Sequence, residues 1–135
     1  PNDPTNGGRG LLLLQRAGLL KLKDGVGMKA TPKDVVDNPK HLKFKELEAA
    51  QLPRSLADVD AAAITMNYVM SGGLDVKKQN IFLEPKDEPL AVMIIAARNK
   101  DKDKEAYKAF VKAYQSEAVK KFIADKYKGT IEPAF

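Results

Sequence analysis

The sequence predicts an α/β fold: an open, mostly parallel sheet flanked by helices. Residues 59–64 and 90–97 are apolar with hardly any alternation, as strands buried on both faces are. Tyr107, Phe110, Val111 and Tyr114 recur at i, i+3, i+4 and i+7, and Val119, Phe122, Ile123 and Tyr127 form a second such stripe. Strand and helix signals then alternate along 135 residues, a length that suits one core.

The first helix follows Asn2-Asp3-Pro4, a turn with Thr5 or Asn6 available to cap it. Leu11–Leu14 predict burial on more than one side, and Gly18 is placed to end the helix in the left-handed conformation. Residues 21–25 read as a polar turn and 26–30 as a short strand. Thr31-Pro32 opens a brief helix ending near Asn38-Pro39, and 42–47 alternate as a strand. A short helix begins at Pro53, and a helical turn at 67–70 stops at Ser71-Gly72-Gly73. Ile81-Phe82-Leu83 is a short extended piece before a polar turn at 85–89. Ser116 caps the last helix and Gly129 ends it.

The net charge of +5 is local. Residues 98–128 hold ten Lys/Arg against five Asp/Glu, and the rest of the chain thirteen against thirteen. These lysines are interleaved with acids opposite an apolar stripe, the pattern of a solvated helix face. Nucleic-acid binding is not expected, because the aromatics lie on the apolar stripe and not among the lysines. No run approaches the ~18 apolar residues of a membrane span. The absence of cysteine excludes disulfides and thiolate sites.

Catalytic and metal chemistry finds few candidates. His41 stands alone in a lysine-rich turn. Asp101, Asp103 and Glu105 lack the glycine of a calcium loop, and no phosphate-binding glycine motif is present. No enzyme, cofactor or metal is therefore expected. What remains is the start of the first helix. Free N–H groups there, the open backbone of Gly7 and Gly8, and the guanidinium of Arg9 suit a carboxylate or phosphate, although a capped helix with a surface arginine has the same residues. Thr65, Asn67 and Tyr68 follow the strand at 59–64, where open α/β sheets place ligands. Asn67 reads equally as a ligand contact or a helix N-cap, and Thr65 more simply as a strand-end residue.

Asn2-Asp3-Pro4-Thr5-Asn6-Gly7-Gly8-Arg9, Leu11–Leu14 and Ala17–Asp24 resemble the methionine-binding lipoproteins of ABC importers, the NlpA or MetQ family. So do 37–40, 46–56, 58–62 and the stretches from Gln115 to Phe135, so the resemblance spans nearly the whole chain. It implies a type II periplasmic binding protein of two α/β lobes that close on a free amino acid. Residues 1–74 would form the second lobe without its first strand, and 75–135 would cross back to complete the first. The chain would then be the C-terminal part of a longer protein, with a missing lobe or a second chain as partner. A lipid anchor upstream, a periplasmic location and an ABC permease and ATPase as partners follow from the same resemblance. Carried over by position, Arg9 would pair with the ligand carboxylate, supported around Gly8 and Asn6. Thr65 stands where the family has an asparagine, with Asn67 two residues on and Tyr68 beside it. A non-catalytic module docking through its basic C-terminal helices is the alternative.

Overall fold

The computed structural model describes residues 1–85, 88 and 91–135, which form two compact units, Pro1–Glu84 and Pro85–Phe135. The first unit is built on helix α1 (Pro4–Arg16). Its cap is Asp3, not Thr5 or Asn6: the Asp3 carboxylate accepts from the Asn6 N–H at 2.9 Å and the Asp3 carbonyl from the Gly7 N–H at 2.8 Å. Proline at the first helical position makes the earlier start favourable, since its ring is preset for the helix and it has no N–H to satisfy. Arg9 consequently lies in the second turn. The helix ends as the sequence predicts. Gly18 takes φ +72°, its N–H reaches the Gln15 carbonyl, and the Leu19 N–H reaches the Leu14 carbonyl, the paired bonds of a Schellman motif.

Leu11, Leu20, Leu22 and Ala30 form the core, with Leu12, Leu14, Val26, Val35, Leu42 and Phe44 packed around it. Leu22 belongs to strand β1 (Lys21–Leu22), which pairs antiparallel with β2 (Val35–Asp37). Both replace other expectations. The polar turn at 21–25 yields its first two residues to β1, because Leu22 is buried and its N–H is held by the Gln15 side chain at 2.6 Å. The brief helix at 31–38 shrinks to a 3-10 turn, Pro32–Asp34, before Val35 and Val36, which as β-branched residues favour the ladder.

Residues 26–30 are not a strand. Gly25 and Gly27 have φ +79° and +51°, and Gly27–Lys29 is a 3-10 turn pressed onto α1. A Cβ on Gly8 would stand 2.0 Å from the Met28 carbonyl oxygen. The open backbone of Gly8 is thus used by the chain itself.

The remaining strand expectations fail for one reason: a strand requires a hydrogen-bonded neighbour. Residues 42–47 keep their alternation, with Leu42 and Phe44 on the core and Lys43 and Lys45 exposed, but form no ladder. Residues 59–65 and 81–83 are irregular and likewise unpaired. Of the predicted strand at 90–97, Leu90 lies outside the described residues, Ala91 is in a 3-10 turn and 92–97 are irregular; 91–97 are exposed, Met93 by 92%. The parallel sheet is therefore not formed among the described residues. The turn at 85–89 falls largely on Lys86, Asp87 and Pro89, which also lie outside them. Two short helices, α2 (Leu52–Ser55) and α3 (Met66–Ser71), pack together, with Gly72 against Pro53, and α4 (Val76–Gln79) follows under an Asp75 cap.

The second unit carries α5 (Glu105–Tyr114) and α6 (Glu117–Tyr127), both as predicted, with Ser116 capping α6 through the Val119 N–H. Buried Asp101 accepts from Arg98 at 2.8 Å and pairs with Lys104 at 2.7 Å, which fixes the approach to α5. Asp101 thus anchors a turn. The apolar stripes are only half covered: Phe110, Tyr114 and Phe122 are more than half exposed, although Phe110 stacks on Tyr114 and Phe122 meets Tyr127 edge-on.

Two measurements test this architecture. Gly8→Ala is expected to cost about 1–3 kcal/mol in urea unfolding, because backbone, not a flexible side chain, blocks the new methyl group. Acid is expected to loosen the first unit. The Thr31 hydroxyl and N–H donate to Asp34, and the Asn6 N–H to Asp3, holding both carboxyls below their ordinary values. Their contribution is complete above the unfolded carboxylate pKa of about 4 and is lost as pH falls through the lower folded values. Melting temperature against pH should fall on that limb, and Asp34→Asn should flatten part of the fall.

Candidate functional site

The feature with binding chemistry in the first unit is Arg9 on α1. Its Nε donates to both carboxylate oxygens of Glu84 at 3.0 Å, and its Nη2 makes a still closer contact with Oε2. The Arg9 and Glu84 side chains are 28% and 20% exposed, so the pair is drawn partly out of water. There a guanidinium–carboxylate fork is stronger and more directional than on an open surface. Glu84 directly follows the apolar piece Ile81-Phe82-Leu83.

The helix context is established by the elements around it. Gly8 seats α1 on the Met28 turn, and Gly10 faces Ala63 closely enough that an added Cβ would lie 3.2 Å away. The segment leading to Thr65 therefore passes α1 one residue beyond Arg9. Asn6, expected near the ligand, turns its amide to the Asp3 carboxylate at 3.0 and 3.1 Å. The helix start, read as an open set of N–H groups, is substantially satisfied by Asp3.

Thr65, Asn67 and Tyr68 come together on one turn. Thr65 occupies the N-cap position of α3, and its carbonyl accepts from the N–H groups of Tyr68 and Val69 at 2.9 and 3.1 Å. Asn67 lies inside the helix and is exposed, so the N-cap reading of Asn67 passes to Thr65. Thr65 and Tyr68 are half-buried. His41 is exposed with φ +52°, in a turn closed by the Asn38 side chain, which bonds both the N–H and the carbonyl of Leu42. Among the described residues no cluster of His, Asp and Glu has the arrangement of a metal site. A shallow hollow lined by Leu12, Gln15, Leu22 and Val26 includes none of the predicted ligand residues.

Sequence reasoning missed Glu84. The usable signal was an acid at the carboxyl end of a short apolar piece, the position from which such sheets present side chains to ligands. Its partner is 75 residues away, and that separation leaves no local pattern.

The sequence profile of the NlpA lipoproteins matches residues 1–135. The D-methionine-binding lipoprotein MetQ of Escherichia coli K12 is 55% identical over 121 residues, 88% of this chain and 44% of that protein. Lipoprotein 28 of the same organism is 44% identical over all of this chain and 50% of its own length. The solved structure of a nutrient binding protein from Burkholderia cenocepacia bound to methionine superposes with a TM-score of 0.86 at 46% identity, covering 100% of this chain and 57% of that one. The chain thus spans about half the length of the relatives it matches, and the likeness to solved structures identifies the type II periplasmic binding-protein fold. No helix among the described residues is long and apolar enough to cross a membrane. On a profile match over its whole length, the chain belongs to the NlpA lipoprotein family.

Proposed function

We propose that this chain is part of the solute-binding component of an ABC importer, taking a free amino acid, methionine foremost, between two lobes and delivering it to the membrane transporter. The observation that carries the reading is the Arg9 guanidinium, oriented by α1 and engaged two-pronged by a carboxylate. A ligand α-carboxylate has the same shape and charge as the Glu84 group that Arg9 holds. The methionine named for the relatives supports the choice of ligand.

In this proposal residues 1–74 belong to the second lobe and 75–135 return to complete the first. Gly8 and Asn6 support the helix that presents Arg9, while Thr65, Asn67 and Tyr68 line the ligand from the α3 turn. The exposed apolar residues of 91–97 and of α5 and α6 are then surfaces that the remainder of the protein covers. Function is binding and hand-over without turnover: ligand touches both lobes only when they are closed, so it shifts a hinge equilibrium toward the form the transporter accepts. A lipid anchor outside this chain would hold the protein at the periplasmic face of the membrane. Docking through the basic C-terminal helices is the weaker reading. Lys108, Lys120 and Lys121 are engaged by Glu105, Glu117 and Asp125 on their own helices.

Calorimetric titration of the complete native protein with methionine tests the proposal. Saturable one-to-one binding is expected, and Arg9→Ala should weaken it by roughly 2–5 kcal/mol, as loss of one partner of a desolvated charge pair does. Unchanged affinity in the variant would remove Arg9 from the site.

A further inference from the structure

We propose that the Asn6–Gly7 step is a latent site of self-modification, deamidation of Asn6, which the Asp3 carboxylate holds in check. It is the only Asn-Gly step in the sequence. The reaction needs no enzyme and no cofactor. The Gly7 backbone nitrogen attacks the side-chain carbon Cγ of Asn6 and gives up its proton. Nδ2 leaves with that proton as ammonia, and a cyclic succinimide is formed. Water then opens the ring at either carbonyl, giving aspartate or isoaspartate. One water is consumed and one ammonia released, with no change of oxidation state. Glycine favours the attack, because no Cβ shields its nitrogen.

Both the amide and the attacking nitrogen are tied to Asp3. The Asn6 amide donates to the two Asp3 carboxylate oxygens at 3.0 and 3.1 Å, and the Asn6 N–H donates to one of them at 2.9 Å. The Gly7 N–H donates to the Asp3 carbonyl at 2.8 Å. The Asn6 side chain is thereby drawn toward the N-terminal end of α1, the direction in which helical side chains lean. The Gly7 nitrogen lies on its other side, so ring closure waits for the first turn to open. Helix ends open more readily than cores. The products cannot restore what the reaction breaks. Aspartate puts a second carboxylate where the amide now stands 3.0 Å from the first, and the two repel. Isoaspartate also adds a carbon to the backbone, which shifts the hydrogen bonds of the turn out of register. Either product undoes the start of the helix that carries Gly8 and Arg9.

Peptide mapping by mass spectrometry, on the complete native protein aged in mildly alkaline buffer, reads the fraction of Asn6 converted. The folded protein should convert at least about tenfold more slowly than the same protein unfolded in urea. Equal rates would overturn restraint by the fold, and this comparison needs no variant. The hydroxyl of Asp3→Ser can still cap α1, but it offers no carboxylate to hold the amide. That variant, with folding checked by thermal melting, should convert about tenfold faster than the wild type. A folded Asp3→Ser that converts as slowly as the wild type would overturn the role of the carboxylate. Asn6→Asp makes one product directly and should melt below the wild type near neutral pH. An unchanged melting temperature would overturn the consequence for α1.

Discussion

The first unit depends on one close approach, that of the Met28 carbonyl to the backbone of Gly8. Without a side chain at Gly8, α1 settles against the 27–29 turn, and this seating brings Leu11 onto Leu20, Leu22 and Ala30. Most of the unit's burial follows from that contact, since these four residues form its main buried cluster. The same seating fixes the rotation of α1 about its axis and therefore the direction in which Arg9 leaves it. Core and candidate site are consequences of a single steric permission.

Much of the helical architecture was legible because its signals are local. The Gly18 stop, the Ser116 cap and the two aromatic stripes each depend on neighbours within about one turn, and all are formed. The cap of α1 shows the resolution of such reading. Asp3, Thr5 and Asn6 are all good capping residues, and Pro4 decided among them by favouring an early start. A shift of two or three residues was enough to move Arg9 from the helix end, where it would oppose the macrodipole, into the second turn.

Strands were not legible to the same degree. Residues 59–65 and 91–97 have the composition of doubly buried strands, yet a ladder also requires a partner, and the sequence of one segment does not name it. The family match accounts for the composition without the pairing: the relatives have about twice the chain, and here 91–97 are exposed and 59–65 mostly half-buried. Nor was the Arg9–Glu84 pair legible. Arg9 stood out as a guanidinium suited to a carboxylate, but Glu84 did not stand out as its partner, and only the tertiary path of the chain brought the two onto one another.

That separation also determines when the site can exist. Several contacts in the second unit are three or four residues apart, as in Arg98–Asp101, Lys104–Asp101 and Phe110–Tyr114, and elements of that kind form within about a microsecond. Joining Arg9 to Glu84 instead closes a loop across 75 residues, and the entropy of that closure is met only after the intervening turns and short helices have shortened the path. Arg9 is made early in the chain, but its partner arrives only when the unit is complete. A half-folded molecule therefore has the arginine without the carboxylate that holds it, and assembly of the first unit and formation of the Arg9–Glu84 pair become the same event.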